Sequence, residues 1–228
     1  MKRMLIGGMQ KMTLLDYPGK VACIIFTHGC NFRCPYCHNG ALVTSAYDGI
    51  SEDEVYTFLK KRVGILDGVC ISGGEPLLQS DILSFMSKVK ALGYSIKLDT
   101  NGTSPKRLRE AVELGLCDYV AMDIKNSKAK YADTVCTAPS LSDIEESVSY
   151  LLSGAVEYEF RTTVTRELHL DSDFEDIGRW ICGADRYYLQ KYVDGEGHVG
   201  DKMSAYTDAE MAAFADIMRR YVRDVSVR

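Results

Sequence analysis

Short apolar stretches alternate with longer segments of helical periodicity along most of the chain. The stretch GVCISGG, at 68–74, has the length and composition of a buried strand, whereas apolar residues at 81–93 recur at the spacing of an amphipathic helix. This pattern predicts six strands and six helices. The strands are expected at 21–28, 68–74, 94–100, 118–125, 157–165 and 185–193, and the helices at 51–66, 81–93, 104–115, 140–154, 173–182 and 207–222.

Local signals support the helix starts. Ser51 and Glu54 have the spacing of a capping box, in which the two side chains satisfy free backbone N–H groups at the start of a helix. Ser104 precedes Pro105, a residue favoured in the first helical turn. Before the first predicted strand, IGGMQKMTLLDYPGK is rich in glycine and turn residues, which predicts a lead-in hairpin or loop.

Six strand–helix units predict a parallel sheet covered by helices. The periodicity leaves two designs open: a doubly wound open sheet, or a barrel that lacks two of eight units. Both designs place functional groups where strands end. The unusual polar residues of this chain fall at four such points: the cysteines after the first strand, Gly73-Gly74-Glu75 after the second, Asp99 ending the third, and Asp123 and Lys125 ending the fourth.

Composition narrows the class of protein. The 228 residues suit one domain, expected to span 1–228, and the net charge of −5 argues against nucleic-acid binding through a basic surface. The sequence has no apolar run near the ~20 residues of a membrane span and no signal-peptide pattern, so we expect a cytoplasmic protein.

The stretch HGCNFRCPYCHNG, at 28–40, carries three cysteines, Cys30, Cys34 and Cys37, in the spacing C-x3-C-x2-C. A structural zinc site needs four ligands, and His38 is a nominal fourth. Cys37 and His38 are adjacent, however, and cannot easily both reach one ion. A [4Fe–4S] cluster held by three cysteines instead leaves one iron open to a small molecule. The other five cysteines have no ligand spacing.

The cysteine spacing, with Tyr36 before the last cysteine, resembles the signature of the radical S-adenosylmethionine (SAM) enzymes. The resemblance implies a [4Fe–4S] cluster on Cys30, Cys34 and Cys37, whose open iron chelates the methionine part of SAM. Reductive cleavage of SAM to a 5′-deoxyadenosyl radical would follow. Tyr36 would contact the adenine, and no protein general acid or base is assigned.

Three later motifs resemble those of the same family. Gly73-Gly74-Glu75-Pro76 resembles its GGEP element, which implies that the glycine carbonyls and Glu75 receive the methionine ammonium. Asp99-Thr100-Asn101-Gly102 and Asp123-Ile124-Lys125 resemble segments of the activases of glycyl radical enzymes. By that resemblance Asp99 and Asp123 help to form a monovalent cation site, Lys125 pairs with the SAM carboxylate, and Arg161 is a weaker candidate for the carboxylate or the ribose.

The segment GGMQKMTLLDYPGKVACIIFTHGCNFRCPYCHN is most similar to activating proteins of anaerobic ribonucleoside-triphosphate reductase, close to the pyruvate formate-lyase activases. This branch implies a glycyl radical enzyme as partner, a flavodoxin- or ferredoxin-like electron donor, and a partial (βα)6 TIM-like barrel with helices outside. An incomplete barrel leaves a side opening for a polypeptide loop. The last strand departs from the branch, because Leu189-Gln190-Lys191-Tyr192 lacks the histidine found near the adenosine in some activases.

Two other functions remain open at this stage. The chain could use the same cofactors on a small molecule or a peptide, since the loops that face the substrate have no recognisable motif. From another class, it could be a non-catalytic zinc-binding module built on the same cysteines.

Overall fold

One mostly parallel sheet of eight strands organises the protein. The computed structural model describes residues 4–46, 48–195 and 197–228. Within them the strands are β1 (Ile6–Thr13), β2 (Ala22–Thr27), β3 (Gly68–Gly73), β4 (Ser95–Thr100), β5 (Tyr119–Asp123), β6 (Glu157–Val164), β7 (Arg186–Lys191) and β8 (Asp224–Val227).

The strand order decides between the two designs that the periodicity left open. Strands neighbour one another in chain order from β1 to β8, with β1 antiparallel to β2 and every later pair parallel. A doubly wound sheet would reverse its order at a switch point. The consecutive order, with β1 and β8 unpaired to each other within the described residues, is that of a partial barrel. The expected parallel strands, outer helices and lead-in hairpin are therefore confirmed.

Eight α-helices connect or flank these strands in the described part of the chain, and no helix there is long and apolar enough to cross a membrane. They are α1 (Gly40–Thr44), α2 (Glu52–Lys60), α3 (Ile82–Ala91), α4 (Pro105–Glu113), α5 (Tyr131–Val135), α6 (Leu141–Leu152), α7 (Asp171–Trp180) and α8 (Asp208–Met218). Short 3-10 turns occupy Pro76–Leu78 and Lys128–Lys130.

The predicted capping box at the start of α2 is present. The Ser51 backbone N–H donates to Glu54 at 2.9 Å, and the Glu54 N–H donates to the Ser51 hydroxyl at 3.2 Å. Most element boundaries agree with the prediction to within two residues, and the two largest differences are that α2 ends at Lys60 rather than 66 and α8 ends at Met218 rather than 222. The residues after α8 turn and form β8, a four-residue strand that the sequence pattern did not predict.

The two faces of the sheet have different surroundings. Residues such as Ile71, Leu98 and Phe160 are fully buried in the large core that includes the helices. On the opposite, concave face, a smaller apolar cluster of Tyr17, Ala22, Ile24, Cys70 and Tyr119 fills the space near the amino ends of the strands. Side chains alternate between the two faces of the sheet along each strand. Polar residues at even spacing after these apolar ones therefore lie on the same concave face, at the carboxyl ends of the strands.

We expect Phe160→Ala to destabilise the protein by about 3–5 kcal/mol, because it removes a fully buried ring from the core between sheet and helices. The matched control is Val63→Ala, at a side chain that is 54% exposed, which should change the unfolding free energy by less than about 0.5 kcal/mol. Urea denaturation of the two metal-free variants measures both. Equal stabilities would contradict this packing.

Candidate active site

The cysteine loop follows β2 and opens into a cavity of about 220 Å³ at the carboxyl ends of the strands. Cys30, Cys34 and Cys37 all line this cavity, and all are free thiols. The Arg33 N–H donates to the carbonyl of Val135, the last residue of α5, at 2.9 Å, and within the loop the Cys37 N–H donates to the Cys34 carbonyl at 3.1 Å. The three thiols therefore approach one space from one ordered loop.

All eleven residues predicted from the sequence as ligands or cofactor contacts line this one cavity. They come from the cysteine loop and from the ends of β3, β4, β5 and β6, so parallel pairing brings together residues up to 131 positions apart, from Cys30 to Arg161. They are Cys30, Cys34, Tyr36, Cys37, Gly73, Gly74, Glu75, Asp99, Asp123, Lys125 and Arg161.

Burial favours the protonated form of two of the three thiols, those of Cys30 and Cys34, in the absence of a metal. It raises the pKa of Cys30 to about 11 and that of Cys34 to about 12, and the nearby Lys125 ammonium only partly opposes this for both thiols. Thiolates are the form that binds metals, so metal binding at these residues must displace protons.

His38 lines the cavity as well, but its ring is engaged by residues other than the cysteines. Its Nδ1 lies 3.2 Å from Nε2 of His198, and its ring stacks on Tyr192 with centroids 6.0 Å apart. Among the described residues, no group of three or more His, Cys, Asp or Glu side chains is placed to hold a single metal ion.

The Gly73-Gly74 turn is packed against the loop that leads to the cysteines. A Cβ on Gly74 would lie 2.0 Å from the Gly29 carbonyl oxygen, and one on Gly73 would lie 2.5 Å from the Thr27 nitrogen, so glycine is required at both positions. The Gly73 carbonyl already accepts a hydrogen bond from the Asn39 amide at 3.0 Å. This close backbone approach is a reason for the two glycines that the sequence motif did not reveal.

Glu75 is buried and joins the turn to the end of β4. Its carboxylate accepts hydrogen bonds from the Thr100 hydroxyl at 2.8 Å, the Asn101 N–H at 2.7 Å and the Leu77 N–H at 3.1 Å. Burial raises the pKa of Glu75 to about 7, although the three donors oppose that rise. Three of the roughly four acceptor positions of this carboxylate are thus used within the protein, and Glu75 is one of the residues that line the cavity.

Five charged side chains form an alternating array across β4, β5 and β6. Lys97 contacts Asp99 at 2.5 Å, and Arg161 reaches Asp99 at 3.3 Å and Asp123 at 2.9 Å. Lys125 contacts Asp123 at 3.0 Å. All five side chains are at most 23% exposed, so these are not surface ion pairs. Three cations thus alternate with two carboxylates, and the buried Glu159 carboxylate also acts on Arg161 and helps to raise its pKa.

The array stabilises the charged form of each carboxylate. Burial would raise the pKa of Asp99, but Arg161 and Lys97 outweigh it and hold that pKa at about 2. Burial opposes ionisation of Asp123 as well, yet Arg161 and Lys125 lower its pKa below the usual range. In return, Asp123 raises the pKa of Lys125 well above its ordinary value despite burial. Both carboxylates and the ammonium are therefore charged at neutral pH.

Tyr36 supplies a test of whether the cavity fits a further polar molecule. Its ring is 3% exposed, and its hydroxyl is buried with no hydrogen-bond partner among the described residues. A buried hydroxyl without a partner is costly unless something outside the chain satisfies it. Together with the cations Lys125 and Arg161 and three free thiols in the same lining, this hydroxyl fits a cavity that receives a metal cluster and a polar molecule with a carboxylate.

Several polar residues in or next to the site were missed by the sequence analysis, Lys97 above all. It is 2% exposed and lies at the base of the charged array. Its signal was the pair Lys97 and Asp99, two apart on a strand and so on one face. The other missed residues that line the cavity with polar side chains are Asn39, Ser72, Thr100, Asn101, Thr163 and Gln190.

Comparisons with known proteins agree with this geometry. The model of the radical SAM superfamily matches residues 24–181, more than half of the chain. A provisionally named glycyl-radical enzyme activating enzyme of Methanocaldococcus jannaschii is 29% identical over 231 residues, which cover 98% of this chain and 95% of that relative. The pyruvate formate-lyase-activating enzyme of Listeria monocytogenes is 33% identical over 133 residues, 53% of this chain and 52% of that protein.

Solved structures share the fold. SuiB of Streptococcus suis superposes with a TM-score of 0.68 at 14% identity over 88% of this chain, which spans 47% of SuiB. A domain of the pyruvate-formate lyase-activating enzyme of Bacteroides vulgatus gives a TM-score of 0.57 at 18% identity, covering 71% of this chain and 98% of that domain. With a family match over most of its length and a partial barrel that gathers three cysteines at its carboxyl end, this chain belongs to the radical SAM superfamily.

Proposed function

We propose that this chain is a single-domain, cytoplasmic activating enzyme that removes a hydrogen atom from a backbone glycine of a partner glycyl radical enzyme. The observation that carries the proposal is the joint position of three free cysteines and a buried array of alternating charges, with Lys125 and Arg161, in one cavity of a radical SAM protein. Similarity over nearly the whole length to a relative named for glycyl-radical enzyme activation supports the choice of substrate.

Superfamily membership implies a [4Fe–4S] cluster and SAM, and the residues of the cavity fit both. Cys30, Cys34 and Cys37 would hold the cluster, as their shared cavity and free thiols allow. When bound, the two cofactors would supply the one-electron chemistry that removes the hydrogen atom, and a flavodoxin- or ferredoxin-like protein would provide the electron.

The protein's own contribution is binding and orientation. The charged Lys125 side chain, which is 15% exposed, would pair with the SAM carboxylate. Arg161 contacts the same Asp123 and is a second candidate for that carboxylate. Tyr36 would use its free hydroxyl toward the adenosine, while Glu75 and the Gly73 and Gly74 carbonyls would receive the ammonium. Thr163 of β6 and Gln190 of β7 line the cavity. They would close the adenosine side, where this chain lacks the histidine found in some activases.

A monovalent cation between Asp99 and Asp123 remains part of the proposal. In the structure the guanidinium of Arg161 contacts both carboxylates and supplies the same positive charge. Coordination of a cation there would require Arg161 to turn toward the cofactor. A dependence of SAM affinity on sodium or potassium, lost in Asp123→Ala, would support that movement.

The activation itself is tested with a glycyl radical enzyme of the anaerobic ribonucleotide reductase type. The reduced, anaerobically reconstituted protein and SAM should generate a glycyl radical on the partner, detected by electron paramagnetic resonance. Partner with its reactive glycine replaced by alanine is the control and should remain silent. Deoxyadenosine release without any partner radical would contradict the proposed substrate and favour a small molecule or a peptide.

We expect Cys30→Ala, Cys34→Ala and Cys37→Ala each to lose the iron–sulfur cluster, because the cavity offers three thiols and no spare one among its lining residues. Iron and sulfide analysis after anaerobic reconstitution measures this loss. Cys117→Ala and Cys182→Ala are matched controls that should keep wild-type iron. His38→Ala should also keep it, since His38 contacts His198, and complete loss of iron in that variant would return His38 to the ligand set.

Lys125→Ala should retain the cluster and the fold but bind SAM about ten- to a hundredfold more weakly, because a charge-assisted contact contributes ~1.5–3 kcal/mol. Calorimetric titration of the reconstituted protein with SAM measures the affinity. Lys128→Ala removes a lysine from an exposed ion pair with Glu145 and serves as the matched control. Wild-type affinity in Lys125→Ala would remove Lys125 from the binding site.

A further inference from the structure

The segment after β7 crosses back over the cysteine loop. Residues 197–204, called the strap here, contact that loop at three successive places. The Gly200 N–H donates to the Pro35 carbonyl at 3.1 Å, and the two rings of His198 and His38 have centroids 4.7 Å apart. The contacted residues include Pro35, which lies between two predicted cluster ligands, and His38, which follows the third.

Close packing accompanies these contacts. A Cβ on Gly200 would lie 2.5 Å from the Pro35 Cβ, and one on Gly40 would lie 2.0 Å from the Gly197 carbonyl oxygen. No real side chain fits at such distances, so the strap and the cysteine loop meet backbone to backbone. Two separate segments, distant by about 160 residues in sequence, are thus held in direct contact.

The strap is anchored to the barrel at its C-terminal end. The Met203 N–H approaches the hydroxyl of Tyr192, just after β7, at 3.5 Å. The Ser204 N–H donates to Glu167 at 2.8 Å, and the Arg166 N–H donates to the Ser204 carbonyl at 3.0 Å. The residues that contact the cysteine loop therefore belong to a segment that is held at one end.

One side-chain hydrogen bond links the two segments. Nδ1 of His38 and Nε2 of His198 lie 3.2 Å apart, so one imidazole donates and the other accepts. Tyr192 packs on both rings, with centroids 6.0 Å from His38 and 5.3 Å from His198.

We propose that His198 and Gly200 are positioning residues that hold the Cys34–Cys37 half of the loop closed and thereby set how fast a bound cluster is lost to chelators and oxygen. The proposal rests on the proposed cluster ligands. The strap contacts the loop but is not among the residues that line the cavity, so it acts through the loop and not on the substrate.

The test uses the full chain, reconstituted anaerobically, and follows the decay of cluster absorbance after addition of an iron chelator or of air. His198→Ala should lose its cluster about three- to tenfold faster than wild type, the factor expected from one lost hydrogen bond. Gly200→Ala should do so too, because its Cβ would push the strap off Pro35. His198→Gln retains a hydrogen-bonding amide at similar reach and should be slower than His198→Ala.

Two controls separate the possible failures. Asp201→Ala changes an exposed strap residue with no hydrogen bond or ion pair among the described residues, and should decay like wild type. Hydrogen exchange of the metal-free protein should rise in residues 28–40 for His198→Ala while the melting temperature stays within a few degrees. If wild type takes up no iron, the proposed function fails; if wild type and both strap variants lose iron at equal rates, the positioning role is overturned.

Discussion

The guanidinium of Arg161 lies between two buried carboxylates, and the site depends on that bridge. Asp99 and Asp123 come from neighbouring strands and would repel each other without it. Removal of one partner from such a buried group costs about 3–5 kcal/mol, because it leaves uncompensated charge in a poorly solvated place. Lys97 and Lys125 extend the compensation at either end, so each charge is balanced by a neighbour that only the sheet register supplies.

The hydrogen bonds around Glu75 connect this array to the cysteine loop. Glu75 accepts from Asn101, whose side-chain amide donates to Asn31 at 2.8 Å, next to Cys30. At the far end of the loop, Asn39 donates to the Gly73 carbonyl. The proposed ligands of the cluster and the proposed contacts of SAM are thus parts of one hydrogen-bonded framework. This framework holds the cysteine loop in place, although the loop belongs to no helix or strand.

The residues that stabilise the barrel and the residues of the proposed site lie in different parts of it. The helix-covered face contains the main core, and the amino ends of the concave face are filled by a small apolar cluster around Tyr17 and Tyr119. The carboxyl ends of that same concave face carry the charges and the thiols. Polar groups can remain there without disrupting the core, since parallel strands bring all their carboxyl ends to one edge.

Much of the fold and the family could be predicted from local signals in the sequence. Periodicity predicted the six strand–helix units, the Ser51–Glu54 spacing predicted the start of α2, and the cysteine spacing indicated the family. Contacts between distant segments depend on the tertiary structure. They include the consecutive strand order, the pairing of β8, the burial of Lys97 beside Asp99, and the contact of His198 with His38. The strand pattern places Lys97 and Asp99 on one face but does not distinguish them from a surface pair, and no local pattern marks His198, because only long-range packing determines which charges and rings meet.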